Sequence, residues 1–124
     1  FRPEGSASGR IEIDTDNPNI NIPCIRLKDF LEQFESVEML KMDIEGAEVE
    51  VLLDCNESLK KCKYIFVEFH SFLGKKSRLD EILSMMSSIG FKYYLKEAVD
   101  NPHPFEAIKI IDEMDLQINI FFYK

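Results

Sequence analysis

Met39-Leu40-Lys41-Met42-Asp43-Ile44-Glu45-Gly46-Ala47-Glu48 is the stretch that decides the fold. Val37 to Asp43 is an apolar run of strand length, cut off by an acid, a second acid and a glycine, after which the apolar spacing turns helical. A buried parallel strand reads this way when it delivers polar groups to its carboxyl end and turns into a helix. Further on the pattern recurs, as Tyr64-Ile65-Phe66-Val67 runs into Glu68-Phe69-His70. Open α/β sheets bind ligands in the crevice outside such strand ends. Two neighbouring ends would aim Asp43, Glu45, Glu68 and His70 at one crevice.

Working outward, Val49, Leu52 and Leu53 form the apolar face of the helix after the first strand. Glu45 and Glu48 fall in its first turn, where the helix dipole favours an acid by about 0.3–1 kcal/mol. Upstream, Leu27, Phe30, Leu31 and Phe34 mark one face of a short helix. Downstream, Ser77 with Asp80 resembles a capping box, and Leu79, Ile82, Leu83, Met86 and Ile89 make a helical stripe that Gly90 ends. Phe91–Leu95 predicts a strand, and Leu116, Ile118, Ile120 and Phe122 alternate with polar residues as a last one. Asn101-Pro-His-Pro104 is a rigid polar loop, whereas residues 105–114 suit helix and strand equally. In residues 1–19, Gly5-Ser-Ala-Ser-Gly9 and Asp14-Thr-Asp-Asn-Pro18 have loop compositions. Ile11/Ile13 and Ile20/Ile22 suggest a hairpin or two short extended pieces. The order is that of an α/β protein, parallel at first and with an end pair free to be antiparallel.

Composition narrows the function classes. The 124 residues suit one domain (1–124), with hairpin, loop and short helix over 1–36 and sheet with helices over 37–124. A hydrophobic fraction of 45 % with ten Phe supports a packed core. Net charge −8 argues against nucleic-acid binding, which needs a basic footprint. Cys24, Cys55 and Cys62 are an odd set without zinc spacing, which fits free thiols in a reducing cytoplasm. No run approaches the roughly 20 apolar residues of a membrane helix, and no signal peptide is visible. The chain starts at Phe1, so further sequence is expected ahead of it.

Leu40-Lys-Met-Asp-Ile-Glu-Gly-Ala-Glu48, followed by Val51-Leu52 and by Val67-Glu-Phe-His70, resembles the signature of FkbM-type methyltransferases over roughly residues 20–95. The resemblance implies a Rossmann-like class I methyltransferase fold, S-adenosylmethionine as cofactor, and O-methylation of a sugar or other small hydroxyl acceptor. It also shows what is missing. None of the five glycines makes a glycine-rich loop between a strand and a helix. The chain therefore matches the second half of the family domain, and cofactor binding is expected to need upstream residues. Residues 37–43, 64–69, 91–95 and 116–123 would be the family's strands 4, 5, 6 and 7, lying in the order 4-5-7-6. The first of them would be an exposed edge, open to pairing with another chain such as a second copy. Leu27-Lys28-Asp29 departs from the two acids more usual after that leucine, far from the crevice.

Each candidate has a plainer role to set beside its chemical one. Asp43 is assigned to orienting the acceptor or holding the cofactor's amino group, against simple capping of the next helix. With Asp43, Glu45 and Gly46 are the implied cofactor-binding positions, Gly46 by letting the backbone turn tightly beneath a ligand. Glu48 needs no role beyond the dipole. Glu68 and His70 share one side of their strand. His70, with an intrinsic pKa of ~6.5, can take the acceptor's proton with Glu68 assisting. His103 reads as an exposed loop residue. Lys41, read as buried, needs a partner and shares a face with Asp43, which predicts an ion pair. Carboxylates with one imidazole also suit a divalent ion, but nothing in the spacing fixes ligand geometry, so no metal is assigned. The competing expectation is a non-catalytic remnant or interaction module that keeps the half-fold.

Overall fold

The computed structural model describes residues 23–124, together with the backbone of two short strands, β1 (Arg2–Glu4) and β2 (Ser8–Arg10). β1 and β2 pair antiparallel, Pro3 opposite Gly9, so Ser8 and Gly9 belong to a strand where loop was expected. The extended pieces expected at Ile11–Ile13 and Ile20–Ile22 lie outside the described residues.

The main sheet has four strands in the order β3-β4-β6-β5, with β3 Val37–Met42, β4 Cys62–Phe72, β5 Lys92–Glu97 and β6 Met114–Tyr123. This is the 4-5-7-6 order expected of the half-sheet. β3 runs parallel to β4, with Met42 opposite Val67, and β6 is antiparallel to both β4 and β5. β4 is longer than its sequence pattern predicts. Ser71 and Phe72, read as loop, still pair with Leu116 and Met114 of β6, across an irregularity in register. Residues 105–114 form turns and one bridge from Ile111 to Met114, in keeping with their lack of a clear period.

Helices α1 (Leu27–Leu31), α2 (Glu48–Cys55) and α3 (Leu79–Ser88) supply the apolar layer over the sheet. Ile65, Val67 and Phe69 alternate along β4 and meet Leu52, Ile82 and Met86 in the core. Each of these six side chains is at most 1 % exposed, so the alternation of β4 sets which of its residues face the opposite way. Those are Phe66, Glu68 and His70. α1 buries only Leu31; Phe30 and Phe34 stay partly exposed and pack edge to face at 5.2 Å.

Among the described residues β3 is an edge strand, and of its six residues only Met42 is buried, unlike the buried strand first read. Met39 is 61 % exposed. Lys41 is exposed too, yet it forms the expected ion pair, its Nζ 3.2 Å from Asp43 Oδ2. An exposed pair of this kind contributes at most about 1 kcal/mol, so its use is to hold the Asp43 carboxylate in place.

α3 ends at a Schellman turn. Phe91 N–H donates to Met86 O (3.0 Å) and Gly90 N–H to Ser87 O (3.1 Å), with Gly90 at φ +94°. Open space surrounds Gly90, so Gly90→Ala is expected to cost only the backbone term, about 1 kcal/mol by urea unfolding. The helix start differs from the expected capping box. The N-cap is Arg78, which makes no cap bond and instead reaches Glu81 and Glu50 with its guanidinium. Ser77 precedes that position and makes no cap hydrogen bond.

Candidate functional site

The parallel pairing of β3 with β4 brings their carboxyl ends to one rim, and the chemistry collects there. β3 stops at Met42, and Asp43 follows at its mouth. The chain then turns through Glu45 at φ +55° and Gly46 at φ +104° before α2 begins. Glu45 therefore sits in a left-handed turn, not in the first helical turn where it was expected.

His70, near the end of β4, is the centre of the cluster, with its side chain fully buried. Its Nδ1 lies 3.0 Å from Glu48 Oε1, and Glu48 is itself only 1 % exposed. Glu48 is fixed in turn by the β3–α2 turn. Gly46 N–H donates to both of its oxygens (3.0 and 3.1 Å), and Ile44 N–H donates to Oε1 (3.4 Å). A buried carboxylate needs such donors. Holding Nδ1 as the N–H leaves Nε2 of the neutral ring as the acceptor.

The Nε2 edge faces the other candidates. Glu45 Oε2 is 3.8 Å from it. One ligand atom each from Asp43, Glu45 and His70 lies within 4.8 Å of the other two, a grouping with the composition of a cation site. Gln117 of β6 closes the other side. Its side-chain amide donates to Glu68 Oε1 (3.0 Å) and to His70 Nε2 (3.2 Å). Glu68 thus reaches His70 through Gln117, and the carboxylate that orients the imidazole is Glu48. Sequence reading gave Glu48 only a dipole role and passed over Gln117. The one signal for Gln117 was the polar side of the β6 alternation, which falls opposite His70 in the register.

Gly46 makes the tight turn expected of it, at φ +104°. A Cβ there would lie 2.5 Å from Cε2 of Phe72, and its N–H is taken by Glu48. The Phe72 ring therefore leaves no room for a Cβ at position 46. His103 lies in the exposed turn region, as expected. Cys55 and Cys62 are buried thiols, and Cys24 is exposed. Burial pushes the Cys55 thiol up to about 11, which makes it unreactive.

Electrostatics tie the cluster to pH. Burial disfavours the His70 cation, but the hydrogen bond it donates to Glu48 and the charges of Glu48, Glu45 and Glu68 outweigh it and raise the imidazole above its usual 6.5. Burial likewise raises Glu45 above 4.5, partly offset by His70. Both groups bind protons more tightly folded than unfolded, so each loses stabilisation as pH rises through its folded pKa. Unfolding free energy is therefore expected to fall as pH rises from about 6.5 through the raised His70 value. Denaturant titrations at a series of pH values should show that decline in the natural chain and a flatter profile in His70→Gln.

The family model for the methyltransferase FkbM domain matches residues 1–93. The chain belongs to the FkbM methyltransferase family. The match covers β3, α2, β4 and α3, so every group at the rim except Gln117 lies within it. Searches of curated proteins and of solved structures found no match. Membership makes this FkbM domain a methyltransferase in kind, and methyltransferases of the family in general use S-adenosylmethionine. Among the described residues, no helix is long and apolar enough to cross a membrane.

Proposed function

We propose that this FkbM domain carries a methyl group from S-adenosylmethionine to a hydroxyl of a sugar or another small acceptor, with His70 taking the hydroxyl proton. The observation that carries the reading is the Glu48–His70 pair. A buried carboxylate fixes Nδ1 and turns Nε2 to the rim where Asp43 and Glu45 converge. Nucleophile activation needs a base so oriented by a third group.

The rim also fits the cofactor's charge. Glu45 is a partly desolvated carboxylate with no hydrogen-bond donor among the described residues, a position that gains from an arriving cation. Asp43 and Glu45 would hold the amino group of the cofactor's methionine part. When bound, S-adenosylmethionine supplies a methyl group already activated on a sulfonium. Among the described glycines none builds a glycine-rich strand-to-helix loop, and we take the remaining cofactor contacts to come from outside residues 23–124.

The protein's own work is alignment and proton handling. Asp43, steadied by Lys41, positions the acceptor. The acceptor hydroxyl replaces the Gln117 amide at His70 Nε2 and gives its proton there, and Glu48 stabilises the resulting imidazolium. Because the carboxylates raise the His70 pKa, the neutral base is scarcer below neutrality. Transfer is expected to speed up with pH until that group is fully deprotonated.

The test uses the intact natural protein, labelled S-adenosylmethionine and a panel of glycans and small alcohols. His70→Ala should lower transfer by roughly a hundredfold or more, and Asp43→Ala should raise the acceptor KM. Unchanged transfer in both variants would remove the assignment. Absence of transfer by the natural protein to every acceptor would favour a non-catalytic module.

A further inference from the structure

The end of β4 and the loop after it form a second feature of the rim. A cavity of about 370 Å³ opens between the start of α2 and this loop, and His70 contributes to its lining. Its floor includes Ser71, which is 6 % exposed and whose hydroxyl forms no hydrogen bond with another described residue.

The wall above Ser71 is cationic. Ser71 to Arg78 contains three basic residues and no acid, in a chain of net charge −8. Arg78 is neutralised by Glu50 and Glu81. Lys75 and Lys76, both lining the cavity, form no ion pair with a carboxylate among the described residues; Lys75 lies 5.2 Å from the Phe72 ring. Two ammonium groups without a salt-bridge partner among the described residues, Lys76 feeling only the more distant Glu81 charge, stand with the Ser71 hydroxyl as donors that an oxyanion can use.

We propose that the acceptor is anionic: a hydroxylated compound bearing a phosphate or carboxylate, which Lys75, Lys76 and Ser71 hold while its hydroxyl lies at the His70 end of the cavity. This rests on the methyl-transfer reading for the hydroxyl's fate, but not for the binding of the anion. The loop sets specificity by charge, and a neutral sugar of the same size gains nothing from the two lysines.

Amide chemical shifts of the 124-residue chain are followed while glucose 6-phosphate, glucuronate or glucose is added, without S-adenosylmethionine. The expected result is saturable movement of residues 71–78 with at least one anionic sugar, tighter than glucose by about tenfold and weakened by salt. Lys75→Glu with Lys76→Glu should lose that tenfold advantage, and Ser71→Ala should lose part of it. Both lysines are exposed, so the double variant keeps its fold. Equal binding of glucose, undiminished binding by the double variant, or no movement at 71–78 with either anion would overturn the proposal. Methyl transfer to neutral acceptors without anion binding would sink this inference alone. Anion binding in a protein that transfers no methyl group would sink only the reading it deepens.

Discussion

Glu48→Ala is expected to cost about 3–5 kcal/mol of folding free energy, more than any exposed acid of the chain could. The substitution strips the acceptor from three donors at once: His70 Nδ1, Gly46 N–H and Ile44 N–H. Glu48 and His70 are both buried, so the imidazole donor in particular has no water to turn to. Glu48→Gln keeps an oxygen for one or two of those donors and loses the charge, so it should fall between the natural chain and Glu48→Ala. The two variants separate packing from charge in a second way. In Glu48→Gln the imidazole loses the first of the groups that raise it, so its pKa should drop while the fold persists. Urea unfolding gives the stability order, and histidine titration by NMR gives the pKa. Equal stability of Glu48→Ala and the natural chain would mean that the carboxylate has no structural role.

Gly46→Ala should be the next most damaging change, at about 3 kcal/mol, from two sources that can be told apart. The added Cβ meets the Phe72 ring at 2.5 Å, and the backbone sits at φ +104°, where an L side chain is strained. Phe72→Ala removes the ring but leaves the angle. Gly46→Ala placed on Phe72→Ala should therefore cost only the backbone part, roughly 1 kcal/mol. A full loss in that background would show that the angle alone sets the need for glycine. Damage should also spread to the site, because the Gly46 N–H is what seats Glu48 beneath His70.

These two positions show where sequence reading reached and where it stopped. Strands β3, β4 and β6 and helix α3 were legible because their apolar periods are clean and end in punctuation such as Asp43-Ile44-Glu45-Gly46 and Gly90. The strand order came from the family resemblance, since periodicity does not say which strands are neighbours. The rim cluster followed from placing Asp43 and His70 at two parallel strand ends. The partner of His70 did not. Glu48 lies 22 residues from it and looks like any acid at a helix start. Only the turn at Glu45 and Gly46, with both φ angles positive, folds that acid back beneath the imidazole. Gln117 was hidden for a similar reason, as its contact crosses 47 residues and depends on the β4–β6 register. Lys41 was misjudged in burial because an edge strand can be apolar in sequence and still exposed.

The nitrogen-15 signals of the His70 ring test the whole arrangement at its centre. In the neutral form at mildly alkaline pH, the ring should carry its proton on Nδ1, bonded to Glu48, and show an unprotonated Nε2 turned to the strand ends; titration should place its pKa above 6.5. A ring protonated on Nε2, or one titrating below that value, would mean that the rim holds no oriented base.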